Sequence, residues 1–555
     1  MLYVNATAAP GGTGLSWSSA FPRLETALAT AAGSGGMFNE IWVAQGVYRP
    51  DGGSGDRSAT FLLFSGAVIR GGFAGSETTL GQRVPGAFPT VLSGDIGTPN
   101  DSADNSFHVV SMRVLVAPAL IDGFTIRDGR ADGGSFPNNS GGGLLNEGTT
   151  LVTDCVFEQN FAVSGGGALS RFGAGTFVNC HFVSNSASSE GGALYIRDGG
   201  GATSCVFSGN NSAFGGALWT CCGTIKVSDC AFTSNFGNFG GALFNSSGSL
   251  VLKRSMFFGN SASRGGAIHS GTNAWIVNCC FAGNSGDRGG AIYANAAGNL
   301  VNCVFTRNFA LSSGGAVWAA SSLNLSSSTL HGNNALLFGG GLYCESGMTN
   351  VNNSILWSNT DNTGSGQSSQ ITRVGGSLWT NYNCIKGWTG SLGGSGNTGS
   401  PPQFVDPAGA DGLPGTLDDN FRLLDSSPCI DTGSTGHVLA DSADINDNGN
   451  IVEPTPLDYD LAPRVIEHLF CPPNGPPAAP LIDMGAFEFV PPPRVMGDAD
   501  GDGNVDFADI TTVLAGWGMT LVPADVNDSG AVDFSDVTTV LANWGNTARS
   551  GGFAE

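Results

Sequence analysis

Positive charge and long apolar stretches are both scarce in this chain. Its 555 residues include 22 Lys and Arg against 45 Asp and Glu, which gives a net charge of −23. Clustered Lys and Arg are absent, so no surface for nucleic acid is expected. No run of about 18 apolar residues occurs, so no transmembrane helix is predicted. The first residues also lack the basic and apolar regions of an export signal.

The negative charge is concentrated towards the C-terminal end. Residues 401–555 contain 25 acidic and four basic residues, whereas residues 1–400 contain 20 acidic and 18 basic ones. An acidic segment of this kind is either a solvated, repelling surface or a collector of calcium. The motifs described below favour calcium.

A repeat of about 25 residues fills the middle of the chain. Each copy reads Cys-x-Phe-x-x-Asn and is followed by Gly-Gly-Ala and an aliphatic residue. The Asn recurs at positions 160, 185, 210, 235, 260, 284, 308, 333 and 359. Such a period predicts one supersecondary unit stacked on copies of itself.

The repeat unit reads as one coil of three short strands and three turns. Cys and Phe are two residues apart and therefore share the inner face of a strand. The Asn falls at a bend, where stacked side chains can hydrogen-bond to one another, and the Gly pair frees the backbone at another corner. We therefore expect an all-β solenoid. The repeats resemble right-handed parallel β-helices of the pectate-lyase-like superfamily and the polymorphic outer-membrane proteins of chlamydiae.

The regions outside the repeat suggest a domain plan. Residues 1–110 predict a cap and entry coils, with a capping helix whose apolar stripe is Phe21, Leu24, Ala27 and Leu28. Residues 111–400 would form the β-helix. Residues 401–490 are an acidic closing segment, whose SPCIDTG and DMGAFEF motifs resemble choice-of-anchor surface proteins. A Pro-rich linker at 491–496 would lead into a small helical domain at 497–547.

Thirteen cysteines raise the question of disulfides or metal. Six lie in one repeat column, at 155, 180, 205, 230, 279 and 303, with Ser255 interrupting. The column is either a disulfide or metal ladder or, the reading we prefer, a stack of small buried residues. Cys429 and Cys471 could pair if the protein is secreted.

Two acidic loops near the C-terminus have the spacing of calcium sites. Both place oxygen ligands at loop positions 1, 3, 5, 7, 9 and 12, with Gly at position 6. In the first loop the predicted ligands are Asp498, Asp500, Asp502, Asn504 through its carbonyl, Asp506 and Asp509. In the second loop they are Asp525, Asn527, Ser529, Ala531 through its carbonyl, Asp533 and Asp536. The predicted cofactor is therefore Ca²⁺.

The duplicated loops, each followed by a helix, resemble type I dockerins. Position 12 is Asp, as in dockerins, where EF-hands prefer Glu. The resemblance covers residues 497–546 and implies docking onto a cohesin-like module. Trp517 and Trp544 recur at the helix ends and are expected to pack the two helices together.

The residue after Gly-Gly-Ala-aliphatic forms a variable column. Its members are Ser170, Tyr195, Trp219, Phe244, His269, Tyr293, Trp318 and Tyr343. If the aliphatic residue points inwards, alternation places this column outside, where rings could stack on sugars; if Ala points inwards, the column is core. We take Tyr195, Trp219, His269, Tyr293, Trp318 and Tyr343 as candidate ligand residues and expect Trp219 and Trp318 to be accessible.

Catalytic residues are not identifiable from the sequence. A polysaccharide lyase needs a base beside acidic calcium ligands. The repeats offer charged residues that suggest no convergent cluster, among them Asp154, Glu190, Arg197, Asp198, Lys226, Asp229, Arg264, Asp287 and Arg288. We expect the pairs Arg197–Asp198 and Asp287–Arg288 to be solvated charges in turns, and no family catalytic signature carries over.

Two functional hypotheses follow. The first is an exported or cell-surface scaffold that binds carbohydrate and attaches through its calcium-dependent module. The alternative is a polysaccharide lyase or glycoside hydrolase delivered by the same module. An export signal is expected upstream of the first residue or to have been removed.

Overall fold

The computed structural model is a right-handed parallel β-solenoid. It describes residues 1–84, 86–113, 117–465, 482–490, 496–497, 499, 504–518, 526 and 532–546. Its longest sheet has 14 parallel strands, which at ~4.8 Å per coil gives a rod of about 62 Å. The predicted fold class of the repeat region is confirmed.

Three long sheets run the length of the rod, and each coil adds one strand to each sheet. Sheet A has the strands Leu2–Val4, Glu40–Ala44, Val68–Phe73, Ala119–Asp122, Thr150–Thr153, Gly175–Val178, Gly200–Thr203, Thr224–Ser228, Ser249–Lys253, Ala274–Val277, Gly298–Val301, Leu323–Ser326, Met348–Asn352 and Ser377–Asn381. Sheet B has Gly46–Tyr48, Thr90–Ser93, Thr125–Arg127, Val156–Glu158, His181–Val183, Val206–Ser208, Ala231–Thr233, Met256–Phe258, Cys280–Ala282, Val304–Thr306, Thr329–His331, Ile355–Trp357 and Cys384–Ile385. Sheet C has Phe61–Leu63, Val110–Arg113, Leu144–Glu147, Ala168–Ser170, Leu194–Arg197, Leu218–Cys221, Leu243–Asn245, Ile268–Ser270, Ile292–Ala294, Val317–Ala319, Leu342–Cys344 and Ile371–Arg373.

Shorter strands and a few helices connect or flank the three sheets. Between sheets B and C lie the strands Arg130–Ala131, Phe161–Ser164, Ser186–Glu190, Ser261–Arg264, Ser285–Arg288, Phe309–Ser313 and Asn334–Ala335. An antiparallel pair joins Phe404–Asp406 to Asn420–Leu423. The α-helices are Leu24–Ala32, Gln367–Gln370, Phe507–Ala515 and Phe534–Ala542, and the 3₁₀ turns are Trp17–Ser19, Leu80–Gln82 and Thr435–His437. Among the described residues, no helix has the length and apolar composition needed to cross a bilayer.

The N-terminal helix packs on the first coils, as predicted, but it begins at Leu24, and the predicted stripe residue Phe21 lies before it and bridges to Val4. Leu24, Ala27 and Leu28 on one face are buried, and they join the same hydrophobic core as the first strand, Leu2–Val4. The helix therefore covers the interior at the end where sheet edges would otherwise be open.

Left-handed backbone at fixed positions produces the corners. The residue before each repeat Cys has positive φ, as at Asp229 (φ 57°), and so does the residue before each repeat Asn, as at Ser234 (φ 55°). At the Gly pair, Gly215 has φ 63°, and a Cβ placed on Gly216 would lie 2.1 Å from the Gly241 carbonyl oxygen. The first Gly is needed for its φ and the second for its lack of a side chain.

Aromatic rings form a continuous stack inside the rod. Phe157, Phe182, Phe207, Phe232 and Phe257 are fully buried, and neighbouring rings lie parallel with centroids 4.6–4.9 Å apart. The stack continues through Phe281 and Phe305. Because Phe recurs once per coil at a constant spacing, identical side chains lie directly above one another.

The repeat Asn side chains form an amide ladder in the buried corner, as predicted. The Nδ2 of Asn210 donates to Oδ1 of Asn235 (3.0 Å) and to the Phe182 carbonyl (2.9 Å). Oδ1 of Asn235 also accepts from the Asn210 backbone N–H at 3.0 Å. The pattern repeats from Asn160 to Asn359, whose Nδ2 donates to Gln370. Each amide thus satisfies backbone groups that water cannot reach.

The cysteine column is a stack of small buried residues, which was the preferred interpretation of the sequence. The thiols from Cys155 to Cys303 are free. The backbone N–H of Cys205 donates to Sγ of Cys230, and that of Cys230 donates to Oγ of Ser255. Ser can interrupt the column because a hydroxyl accepts the same hydrogen bond. Cys471 lies outside the described residues, so its pairing with Cys429 stays a prediction.

The closing segment folds back along the outside of sheets A and B. Phe421 and Phe487 bury the outward side chains of Cys280 and Val304. Arg464 is completely buried, with Nη1 2.7 Å from Oε1 of Glu488. A second guanidinium nitrogen of Arg464 donates to Oδ1 of Asn302 on the rod. The segment is therefore held by apolar contacts and by a buried ion pair.

The two C-terminal helices share a small core, but the Trp prediction is wrong. Val505, Val513, Val532 and Val540 are buried together, and the Val505 N–H donates to the Asn546 carbonyl at 2.9 Å. The two Trp side chains are each 49% exposed. Val residues, which are smaller, fill the space between such short helices, and the Trp side chains of 517 and 544 stay outside.

Candidate functional site

The variable column lies in register on the outward face of sheet C. Leu194 and Leu218 are fully buried inside, and the residues that follow them, Tyr195 and Trp219, pair across adjacent strands. The column continues through Phe244, His269, Tyr293, Trp318 and Tyr343. The aliphatic residue therefore points inwards and the ring points outwards.

Ser170 does not belong to this column. Leu169 pairs with Tyr195, whereas Ser170 pairs with Ile196 and is fully buried. Three glycines precede Ala168, and Gly165 takes the positive φ that Gly191 takes in the next coil. The extra glycine shifts the alignment by one residue relative to the sequence-based assignment.

The rings cover one another. Tyr195 and Trp219 stack with centroids 4.2 Å apart, and His269 and Tyr293 stack at 5.0 Å. Trp219 is half-buried, but Trp318 is only 5% exposed. The expected accessibility of Trp318 is therefore wrong, and the candidate ligand residues His269 and Tyr293 are also buried, each 5% exposed. Facing outwards is not sufficient for exposure when the neighbouring coil carries a ring of similar size.

Two arginines lie over the buried part of the column. Arg264 and Arg288 are in-register partners on adjacent strands, and both are exposed. The Arg264 guanidinium lies 5.6 Å from the Tyr293 ring centroid, and that of Arg288 lies 5.0 Å from the Trp318 centroid. Cations over aromatic faces are stabilised at such distances. The indole N–H of Trp318 is also occupied, because it donates to Glu345 at 2.8 Å.

These arginines form a groove of about 340 Å³. It is lined by Asn238, Phe239, Ser263, Arg264, Asp287 and Arg288. Among the residues that the structure describes, neither guanidinium has an ion-pair partner. The structure therefore brings together three charged residues that the sequence suggested were dispersed. The 24-residue spacing of Arg264 and Arg288, equal to one coil, was the signal that could have revealed the two arginines.

His269, beside this groove, is held neutral. Burial is the main cause that lowers the pKa of His269 to about 4, and the positive charge of Arg264 lowers it further. Nδ1 of His269 is buried without a hydrogen-bond partner in the described part of the chain. The imidazole is thus uncharged at neutral pH and acts as part of the ring stack.

The other charged candidates are dispersed at corners and strand surfaces. Arg254 holds Asp229 with two bonds of 2.7 and 2.9 Å. Glu190 accepts from Ser164 at 2.6 Å, and Arg197 lies 3.5 Å from Asp198. Lys226 is exposed on sheet A. These contacts stabilise individual corners, and they do not converge with the groove.

Only part of the predicted calcium loops falls within the described residues. Asp506 and Asp533 cap the two helices, and their side chains accept from Ala508 and Ser535. Asp509 accepts from the Ala499 backbone N–H at 2.6 Å, which brings position 12 back to the beginning of its loop. That arrangement and the all-oxygen donor set fit a hard cation such as Ca²⁺.

The remaining loop ligands cannot be placed in the same way. Asn504 is described and is exposed. The predicted ligands Asp498, Asp500, Asp502, Asp525, Asn527, Ser529 and Ala531 lie outside the described residues. Within the described ranges, no group of three or more His, Cys, Asp or Glu side chains is placed to hold a metal. The calcium assignment therefore stays a prediction.

No protein-family model matches the chain, and no curated protein matches it.

Proposed function

We propose that the protein is an exported or cell-surface scaffold that binds carbohydrate on the outward face of sheet C. The observation that supports this most directly is the in-register ring column next to the paired arginines. Attachment would use the C-terminal module, folded by Ca²⁺ and docked onto a cohesin-like partner. Each element of this proposal has a separate physical basis.

The ring column supplies the apolar part of a sugar site. The half-buried rings of Tyr195, Trp219, Phe244 and Tyr343 border the covered middle section. Sugar rings present C–H faces that stack on such side chains, while their hydroxyls need polar partners. A parallel β-helix fixes these rings at one spacing, so little ordering entropy is lost on binding.

The arginine pair supplies the polar part. Arg264 and Arg288 project from neighbouring strands about 4.8 Å apart, and each guanidinium has five N–H donors. Two like charges at this separation repel each other, and an oxygen-rich ligand between them relieves that repulsion. A groove with fixed donors beside rings therefore suits a saccharide.

The C-terminal module supplies the attachment surface. Its two halves expose the same side chains 27 residues apart: Phe507 and Phe534 are 68% and 69% exposed, and Leu514 and Leu541 are 55% and 54% exposed. Large apolar residues left in water on so small a domain favour a protein partner. In the sequence, the predicted calcium loops run directly into these helices, which would couple metal binding to formation of the docking surface.

Binding to immobilised polysaccharides, measured with calcium, tests the proposal. The double variant Arg264→Ala/Arg288→Ala should weaken binding at least about tenfold, a loss of about 1.4 kcal/mol. Trp219→Ala should weaken it as well. Lys226→Ala is the matched control, because it removes an exposed cation from sheet A. Equal binding by the arginine variant and the control would refute the proposed face.

A second function is favoured by one feature of the same groove. Asp287 lies in the groove together with Arg264 and Arg288, and an acid beside cations is a combination that polysaccharide lyases and hydrolases use. Incubation with a panel of acidic and neutral polysaccharides, with calcium, would show product release. Release that is lost in Asp287→Asn would replace the scaffold proposal with an enzyme.

A further inference from the structure

Two adjacent cysteines lie at the corner between sheets C and A. Cys221 ends the strand Leu218–Cys221, and Cys222 begins the turn towards Thr224–Ser228. Their Sγ atoms are 2.8 Å apart. Optimal non-bonded contacts between heavy atoms are about 3.5–4.0 Å, and a disulfide bond is about 2.05 Å. The two sulfurs are thus already closer than ordinary packing would place them.

The fold imposes the backbone geometry that brings them together. Cys222 has φ 59°, in the left-handed region, and the aligned residues Phe172 and Asp198 have φ 59° and 68°. Residues as different as Phe and Asp take the same conformation, so the turn requires it whatever the side chain. The peptide is held on both sides, because Cys222 N–H donates to Ser247 and the Cys221 carbonyl accepts from Asp198.

The two thiols have unequal environments. Cys221 is 5% exposed, whereas Cys222 is half-buried and within 3.7 Å of Oγ of Ser247. The hydrogen bond from Cys221 lowers the pKa of Cys222, and the charge of Arg197 adds to this. Burial raises the pKa of Cys221 to about 12, and the hydrogen bond with Cys222 is the second cause of this rise. Cys222 is the accessible nucleophile and Cys221 the thiol behind it.

We propose that Cys221 and Cys222 form a vicinal disulfide when the protein meets a small-molecule disulfide as oxidant. The Cys222 thiolate attacks one sulfur of the oxidant, whose S–S bond breaks and releases one thiol after protonation. Cys221 then loses its proton to solvent and attacks Sγ of Cys222, which releases the second thiol. Two protein thiols are oxidised to one disulfide, and one oxidant disulfide is reduced to two thiols.

This pair differs from the cysteine ladder inside the rod. Burial raises the pKa of both Cys155 and Cys303 to about 12, and their thiols face backbone carbonyls. Such thiols are protected from an oxidant in solution. The inference does not depend on carbohydrate binding, and the disulfide would persist in the oxidising surroundings of an exported protein.

Peptide mapping of the full-length protein tests the proposal. The reduced protein is incubated with oxidised glutathione, denatured, alkylated and digested with trypsin and chymotrypsin, which isolates residues 220–226 with only these two cysteines. We expect this peptide to carry no alkyl group and to weigh two hydrogens less than its reduced, unalkylated form. Cys303 should be alkylated to the same extent before and after oxidation, which serves as an internal control.

Single variants separate the two chemical steps. Cys221→Ser should trap glutathione on Cys222 as a stable mixed disulfide, and Cys222→Ser should leave Cys221 free and alkylated. The proposal is overturned if the wild-type peptide keeps two alkyl groups, if glutathione stays on wild-type Cys222, or if either cysteine cross-links to another one. A reversed pattern in the two variants would also refute the assigned roles.

Discussion

Removing one amide from the Asn ladder should destabilise the rod far more than its size suggests. In Asn235→Ala, the Asn210 backbone N–H loses its acceptor at 3.0 Å, and Asn210 Nδ2 loses a second bond of 3.0 Å. Phe207 and Asn260 each lose a bond donated by the deleted Nδ2. All four partners are buried, so water does not replace these bonds.

The expected magnitude follows from counting those bonds. Four hydrogen bonds at a net ~0.5–1.5 kcal/mol each give about 2–6 kcal/mol. That is comparable with the ~3–5 kcal/mol expected for deleting a whole buried ring in Phe232→Ala. Asn238→Ala is the matched control, because Asn238 is exposed and its side chain makes no hydrogen bond within the described residues. The control should change stability by less than ~0.5 kcal/mol.

Guanidinium unfolding and amide hydrogen exchange measure the effect. The unfolding midpoint should fall clearly for Asn235→Ala, and the Asn210 amide should lose protection locally because repeat proteins couple mainly between neighbouring coils. The role of the ladder would be refuted if the free energies of unfolding of Asn235→Ala and Asn238→Ala differed by less than about 1 kcal/mol. An unchanged exchange protection of the Asn210 amide would refute it as well.

Three further predictions concern the closing segment and the C-terminal module. Arg464→Met should cost about 3–5 kcal/mol in chemical denaturation because it leaves the buried Glu488 unpaired, and adding Glu488→Gln should recover most of it; no recovery would contradict the ion-pair argument. Burial raises the pKa of Asp483 from 3.8 to about 7, so its stabilising contribution is complete below about pH 4 and is lost as the pH rises to about 7; a stability titration should show this, and Asp483→Asn should reduce it, because burial also raises the pKa of the neighbouring Glu488. Calcium should raise helix content and EDTA should reverse it, while Asp509→Asn and Asp536→Asn should each remove one binding event in calorimetry; a wild-type protein without calcium heat would exclude the metal.

The sequence was sufficient for the interior of the rod. Phe and Asn recur at a fixed spacing, and stacked coils leave identical side chains only one way to meet, as rings above rings and amides above amides. The inner ladders of Phe232 and Asn235 could therefore be predicted. The corner positions with left-handed backbone could also be predicted from the sequence, because Asn, Asp, Ser and Gly are the most frequent residues there.

The outer face could be predicted only in part. Alternation correctly predicts that Trp318 points outwards, but its burial depends on Tyr293 and Arg288, which both belong to the preceding coil. The triple glycine before Ala168 allowed two alignments, and only the left-handed Gly165 selects one. Exposure is a property of neighbouring coils, which a single repeat unit does not contain.

The cover over sheet B could not be predicted from residue type. One outward column holds Val156 and Val206 in early coils, where they are half-buried, and Cys280, Val304 and Ile355 in later coils, where they are buried. Only the later members are covered by another segment. Which segment covers them is not encoded locally, because the contacts join residues far apart in the chain.

That separation makes the order of synthesis relevant to how the protein matures. Lys253 donates to the Asp444 carbonyl at 2.9 Å, across 191 residues of sequence. At ~5–20 residues per second, the coil emerges about 10–40 s before its cover. During that interval the coils can already stack, yet Cys280, Val304 and Ile355 face outwards without protection. Residues 401–465 and 482–490 therefore cover the rod last, and a chain that ends near residue 400 would expose a strip of apolar side chains to neighbouring molecules.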